Sequence, residues 1–101
     1  MFGFGMEKSD IDCPAARQLV AEGAQLVDVR SPMEFAQGAL PGSINLPVQN
    51  IQAARGQLDT AKPVILYCRS GARSSQAQMM LRSMGFAEVH NLGPITKYLS
   101  C

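Results

Sequence analysis

Apolar residues fall along this chain in short runs, and the spacing within each run predicts an element. Residues 63–67, PVILY, are almost all apolar and β-rich, so they read as a strand covered on both faces, as in the centre of a parallel sheet. QLVDV, 25–29, reads as a second, shorter buried strand, and SIN, 43–45, between Pro-Gly and Leu-Pro, as a minimal one. EVHN, 88–91, is a fourth.

Helical spacing lies between these runs. Asp12 can cap a helix over about 13–22 in which Ala16, Leu19 and Val20 share one face, with Gly23 suited to its end. Ser31-Pro32-Met33-Glu34 spells a capping box with proline in the first turn, so a short helix should run to about Gln37 and stop at Gly38. A weaker helical segment spans 48–56, with Val48 and Ile51 inward. Ala77, Met80, Leu81 and Met84 sit at i, i+3, i+4 and i+7, which predicts a helix from Arg73 to Met84, closed by Gly85. A last short helix begins near Ile95. Helices and strands alternate, which argues for an α/β fold with a mainly parallel central sheet and helices on both faces.

Length and composition set the frame. The chain has 101 residues, 47% hydrophobic and 17% charged, enough for one domain with its own core. That domain is expected over 9–101, with 1–8 a flexible tip because Gly3 and Gly5 weaken regular structure. A net charge of +1 gives no global field for nucleic acid or an anionic membrane. No run approaches the ~20 apolar residues of a membrane span. The first ten residues lack the basic and apolar regions of a signal peptide, so a cytoplasmic location is expected, or a periplasmic one if an export segment is missing. Three cysteines, Cys13, Cys68 and Cys101, are too few and odd in number for a disulfide framework, and free thiols suit a reducing compartment.

One of those cysteines stands apart. In LYCRSGARS, 66–74, Cys68 ends the strongest strand and a basic loop leads to the clearest helix. Sites in open α/β sheets form beyond the carboxyl ends of the strands. A loop in that place can turn its N–H groups toward the sulfur, and the helix N-terminus adds about half a positive charge. Arg69, Arg73 and Arg82 fall within fourteen residues that contain no acid. Such a setting favours a thiolate over a thiol, and Gly71 frees the tight loop from Cβ constraints. A strand-terminal cysteine can also be a plain apolar residue, but strand, basic loop and helix together decide for chemistry. Cys13, which opens a helix, and Cys101, the last residue, have no such setting and no redox role is expected of them. His90 reads as packed or surface, and the Cys and His spacings match no common zinc pairing, so no metal is expected.

Three stretches carry a resemblance: LVDVRSPMEFAQGALPGSINLP, 26–47; VILYCRSGARS, 64–74; and GFAEVHNLGPITKY, 85–98. Together, and in this order, the chain resembles the rhodanese-like sulfurtransferases of the small single-domain bacterial type. The resemblance implies that Cys68 is the nucleophile and carries a persulfide, within a loop formed by Arg69, Ser70, Gly71, Ala72, Arg73 and Ser74. The six residues from Cys68 to Arg73 match the sulfurtransferase loop; related phosphatases have one more. It further implies a small-molecule sulfur donor, thiosulfate or a persulfide, a cyanide or thiol acceptor, no cofactor, and a monomer or weak dimer. Arg69 and Arg73 are candidates to attract the donor anion, with Arg73 equally placed to brace the loop. Asp28 and Arg30 are expected to pair behind the site. The family's Gly-His-Ile is Gly38-Ala39-Leu40 here, its Gly-Gly turn is Gly93-Pro94, and its usual tryptophan is Tyr98. Two other classes stay open: a phosphatase or arsenate reductase built on the same loop, and a low-turnover sulfur carrier or redox binding module.

Overall fold

Strand β3 (Val64–Cys68) is buried at every position, and the sheet built around it explains why its sequence shows no alternation. The computed structural model describes residues 9–101; the tip expected over 1–8 lies outside the described residues. In it β1 (Gln25–Asp28), β2 (Ile44–Asn45), β3 and β4 (Val89–Pro94) form one parallel sheet in the order β2-β1-β3-β4. Helices α1 (Cys13–Ala21), α2 (Pro32–Gln37), α3 (Ala54–Gln57), α4 (Ala72–Ser83) and α5 (Ile95–Tyr98) alternate with the strands.

Side-chain parity along β3 divides the core. Val64, Leu66 and Cys68 face one apolar cluster with Ile51, Ala54, Ala77 and Leu81, from the side of α3 and α4. Ile65 and Tyr67 face the other, with Ala16, Leu92 and Tyr98, from the side of α1 and α5. Each fully buried Val, Ile or Leu contributes about 1.5–3 kcal/mol. The same parity aims Cys68 at the side on which α4 begins.

Local signals set most boundaries. The Asp12 carboxylate accepts from the Ala15 N–H at 2.9 Å and starts α1. Ser31 and Glu34 close the capping box of α2, a helix with no buried residue. The segment expected to be helical over 48–56 is a 3-10 helix at Val48–Ala53, broken at Asn50, followed by α3. Neither piece has a side-chain cap. β4 runs to Pro94, past the expected 88–91, through Gly93 at φ +92°. A Cβ there would also lie 3.2 Å from that of Ser9, so glycine is needed twice over. The buried Tyr67 hydroxyl ties β3 to the turn after Gly38: it accepts from the Leu40 N–H at 3.0 Å and meets Ser43 Oγ at 2.9 Å.

The cysteines require a correction. Cys13 and Cys101 form a disulfide with Cα atoms 6.0 Å apart, and Cys68 is the free thiol. The two lie 88 positions apart in sequence, so spacing alone carries no sign of the pair. They meet because α1 and α5 pack against each other on one face of the sheet. Among the described residues no helix is long and apolar enough to cross a membrane.

Candidate active site

Cys68 ends β3 fully buried, and the chain turns at once into the loop that starts α4. Gly71 takes φ +102°, which turns its N–H back onto Cys68 Sγ at 2.9 Å. The Ser74 N–H points at the same sulfur from 3.4 Å, and Ser74 Oγ lies 3.4 Å from it. Ser74 Oγ also donates to the Gly71 carbonyl at 3.1 Å, so one hydroxyl links both sides of the turn. Ser70 Oγ accepts from the Ala72 N–H at 3.4 Å. The sulfur thus sits among donors at the N-terminus of a twelve-residue helix, where the helix dipole also favours negative charge.

The two loop arginines are placed differently. Arg73 is engaged: its guanidinium forms a two-pronged bridge to Glu34, at 2.7 and 3.0 Å. Glu34 accepts from Ser31 as well, through its N–H and its hydroxyl, both at 3.0 Å. The side chain that caps α2 therefore also anchors the loop. Of the two uses left open for Arg73, bracing is the one this geometry supports. Arg69 is exposed, and its guanidinium makes no hydrogen bond or ion pair among the described residues. It lines an open cleft of about 540 Å³ with Arg30, Glu34, Gln37, Gly38, Ile95 and Thr96. Pro94 pairs with Cys68 across β3 and β4, so Ile95 enters the cleft wall directly after that partner, and Arg69 directly after the thiol.

Behind the cleft, Asp28 and Arg30 form a buried ion pair. Arg30 Nη2 reaches Asp28 Oδ2 at 2.6 Å, Nε lies 3.0 Å from both carboxylate oxygens, and the Arg30 backbone N–H donates to Oδ1 at 2.8 Å. Nη2 donates to the Gly38 carbonyl at 2.7 Å too, tying the end of β1 to the end of α2. The hydrogen bonds to Asp28 hold the Arg30 guanidinium more firmly protonated than usual.

Glu34 makes the loop brace sensitive to acid. The Arg73 bridge first, and then the Ser31 N–H, lower its carboxyl from an ordinary 4.5 to about 2. A carboxyl with a depressed folded value contributes stability that is fully present above the ordinary value and lost as pH falls through the folded one. The difference in thermal midpoint between the parent and Glu34→Gln should therefore be constant above about pH 5 and shrink between pH 4.5 and about 2. A difference that does not change with pH would rule the brace out as its source.

Sequence reading placed Cys68, the loop and the Asp28–Arg30 pair in one region, and the structure brings them together. It missed Glu34 as a loop anchor, along with Gln37, Ile95 and Thr96 as cleft walls. The capping box had already explained Glu34, and nothing in its spacing points to an arginine thirty-nine residues away.

A family model described as a rhodanese-like domain matches residues 14–98. A protein of Allochromatium vinosum named sulfurtransferase is 40% identical over 86 residues, covering 83% of this chain and 80% of its own. A human protein named thiosulfate:glutathione sulfurtransferase is 34% identical over 97 residues, covering 80% of this chain and 84% of its own. One further relative is longer, and the chain spans 55% of its length. The solved structure of the human single-domain sulfurtransferase TSTD1 superposes with a TM-score of 0.78 at 29% identity, over 91% of this chain and 96% of that one.

Proposed function

This chain belongs to the rhodanese-like domain family, and on that premise we propose that it is a sulfurtransferase working through a persulfide on Cys68. The observation that carries this reading is the set of loop donors turned onto one free, buried sulfur. The relatives named as sulfurtransferases support the reaction class.

In the first step the Cys68 thiolate attacks the outer sulfur of thiosulfate. The donor's S–S bond breaks, and sulfite leaves with its electron pair. Cys68 now carries one extra sulfur, with the negative charge on that terminal atom. In the second step cyanide or a thiolate attacks the terminal sulfur, and Cys68 leaves as the thiolate it was. The products are thiocyanate or the acceptor's persulfide. This is covalent catalysis with ping-pong kinetics. The Gly71 and Ser74 N–H groups and the helix end are fixed in advance on the Cys68 sulfur, where the thiolate charge sits before the first step and after the second.

Arg69 is the side chain free to meet the donor. Thiosulfate is a dianion, and a guanidinium offers it two parallel donors. At an exposed position the charge is screened, so Arg69→Ala should raise the KM for thiosulfate by about two- to fivefold. The kcat should hold, and rising salt should raise the parent's KM in the same direction. A KM unchanged by both would remove Arg69 from donor capture. The reaction class is tested by comparing the parent's turnover of thiosulfate with that of an aryl phosphate. Faster hydrolysis of the phosphate would make this a phosphatase.

A further inference from the structure

The Cys13–Cys101 disulfide lies outside the chemistry described so far, yet it is tied to the wall of the cleft. Ile95 and Thr96, which line the cleft, belong to α5, a helix of only four residues. A helix that short has no stability of its own and depends on what holds it. Three things do. The Tyr98 carbonyl accepts from Arg17 Nη2 at 2.7 Å, with the Arg17 guanidinium 4.2 Å over the Tyr98 ring. Lys97 Nζ bonds Ser9 Oγ. The third is the disulfide, which joins the chain just beyond α5 to the first residue of α1.

The two sulfurs are unequal in surroundings. Cys13 is buried, whereas Cys101 is exposed. Cys13 Sγ also lies 3.1 Å from the Tyr98 carbonyl oxygen. In the disulfide that sulfur has no hydrogen to donate. Once reduced it gains an S–H with an acceptor already in place, so opening the bond leaves no new polar group stranded in the core.

We propose that the Cys13–Cys101 disulfide is a redox clasp: closed, it holds α5 and the Ile95–Thr96 wall of the cleft; opened by a small dithiol, it lets α5 and that wall loosen. The dithiol's thiolate attacks the accessible Cys101 sulfur, and Cys13 leaves as a thiolate and is protonated. The reagent's second thiol then displaces Cys101 and closes the reagent's own disulfide. Two electrons and two protons pass to the protein. Exchange with an oxidised small-molecule disulfide reverses the process. As a control on sulfur transfer the clasp rests on the function proposed above, but its test needs no sulfur donor.

The test is the rate of hydrogen exchange of the amides over 95–101, followed by peptide mass. Three samples are compared: oxidised parent, parent reduced with dithiothreitol and freed of it, and Cys101→Ser. Because a four-residue helix depends on what holds it, both opened forms should exchange there about fivefold faster or more. Dithiothreitol should add nothing to Cys101→Ser. The comparison of oxidised with reduced parent needs no variant to fold. Exchange over 95–101 that ignores reduction would overturn the clasp. So would three free thiols in denatured protein that had been equilibrated with oxidised glutathione. An absence of thiosulfate turnover alongside redox-dependent exchange over 95–101 would instead overturn the sulfurtransferase reading and leave the clasp standing.

Discussion

Replacing Cys68 with serine should lower thiosulfate:cyanide sulfur transfer by at least about 10,000-fold, the scale on which losing a covalent nucleophile is felt. The fold should survive. Serine differs from cysteine at this buried position by one atom, and its hydroxyl can still accept from the Gly71 and Ser74 N–H groups. Loss of activity with an unchanged circular dichroism spectrum and a thermal midpoint within a few degrees would separate chemistry from structure. The disulfide-bonded Cys13 and Cys101 cannot take over, since neither has a free thiolate. A variant with more than a tenth of the parent's turnover would mean that the sulfur passes through another group.

The second large effect concerns the pair behind the cleft. Asp28 is fully buried and is the carboxylate that balances Arg30, itself nearly so. Removing one partner of a buried ion pair leaves an uncompensated charge, at a cost of about 3–5 kcal/mol. Asp28→Ala should lose stability on that scale in urea unfolding. Pairing two apolar side chains in place of the charges, Asp28→Leu with Arg30→Met, should recover much of it, because the desolvation of both ions is then avoided. If Asp28→Ala costs less than about 1 kcal/mol, as an exposed pair would, the bridge is not what joins β1 to Gly38.

How much of this could be read from the chain depends on how local each cause is. PVILY identifies a two-sided strand because burial on both faces removes alternation. Asp12 and Ser31-Pro32-Met33-Glu34 fix helix starts because a cap acts within one turn. The reactive loop is legible for the same reason, since strand end, Gly71 and helix start are adjacent in sequence. Asp28 and Arg30 are two residues apart, near enough to be paired on inspection.

The rest depends on packing. Arg73 reaches Glu34 only because the N-terminal turns of α2 and α4 come together at the carboxyl end of the sheet. Cys13 finds Cys101 only because α1 and α5 share a face. The 48–56 segment lacks caps and repeats poorly, so its two short turns are decided by Val48, Ile51 and Ala54 fitting under the sheet. Tyr67 looks like one more apolar residue of β3 until the fold sets its hydroxyl against Leu40 and Ser43.

The most direct test of persulfide chemistry is the mass of the intact protein after thiosulfate has been added and removed. The parent should gain the mass of one sulfur atom, lose it again on exposure to cyanide, and yield thiocyanate in equal amount. Cys68→Ser, treated alike, should gain nothing. A parent that gains no sulfur, or a Cys68→Ser protein that gains as much, would contradict a persulfide carried on Cys68.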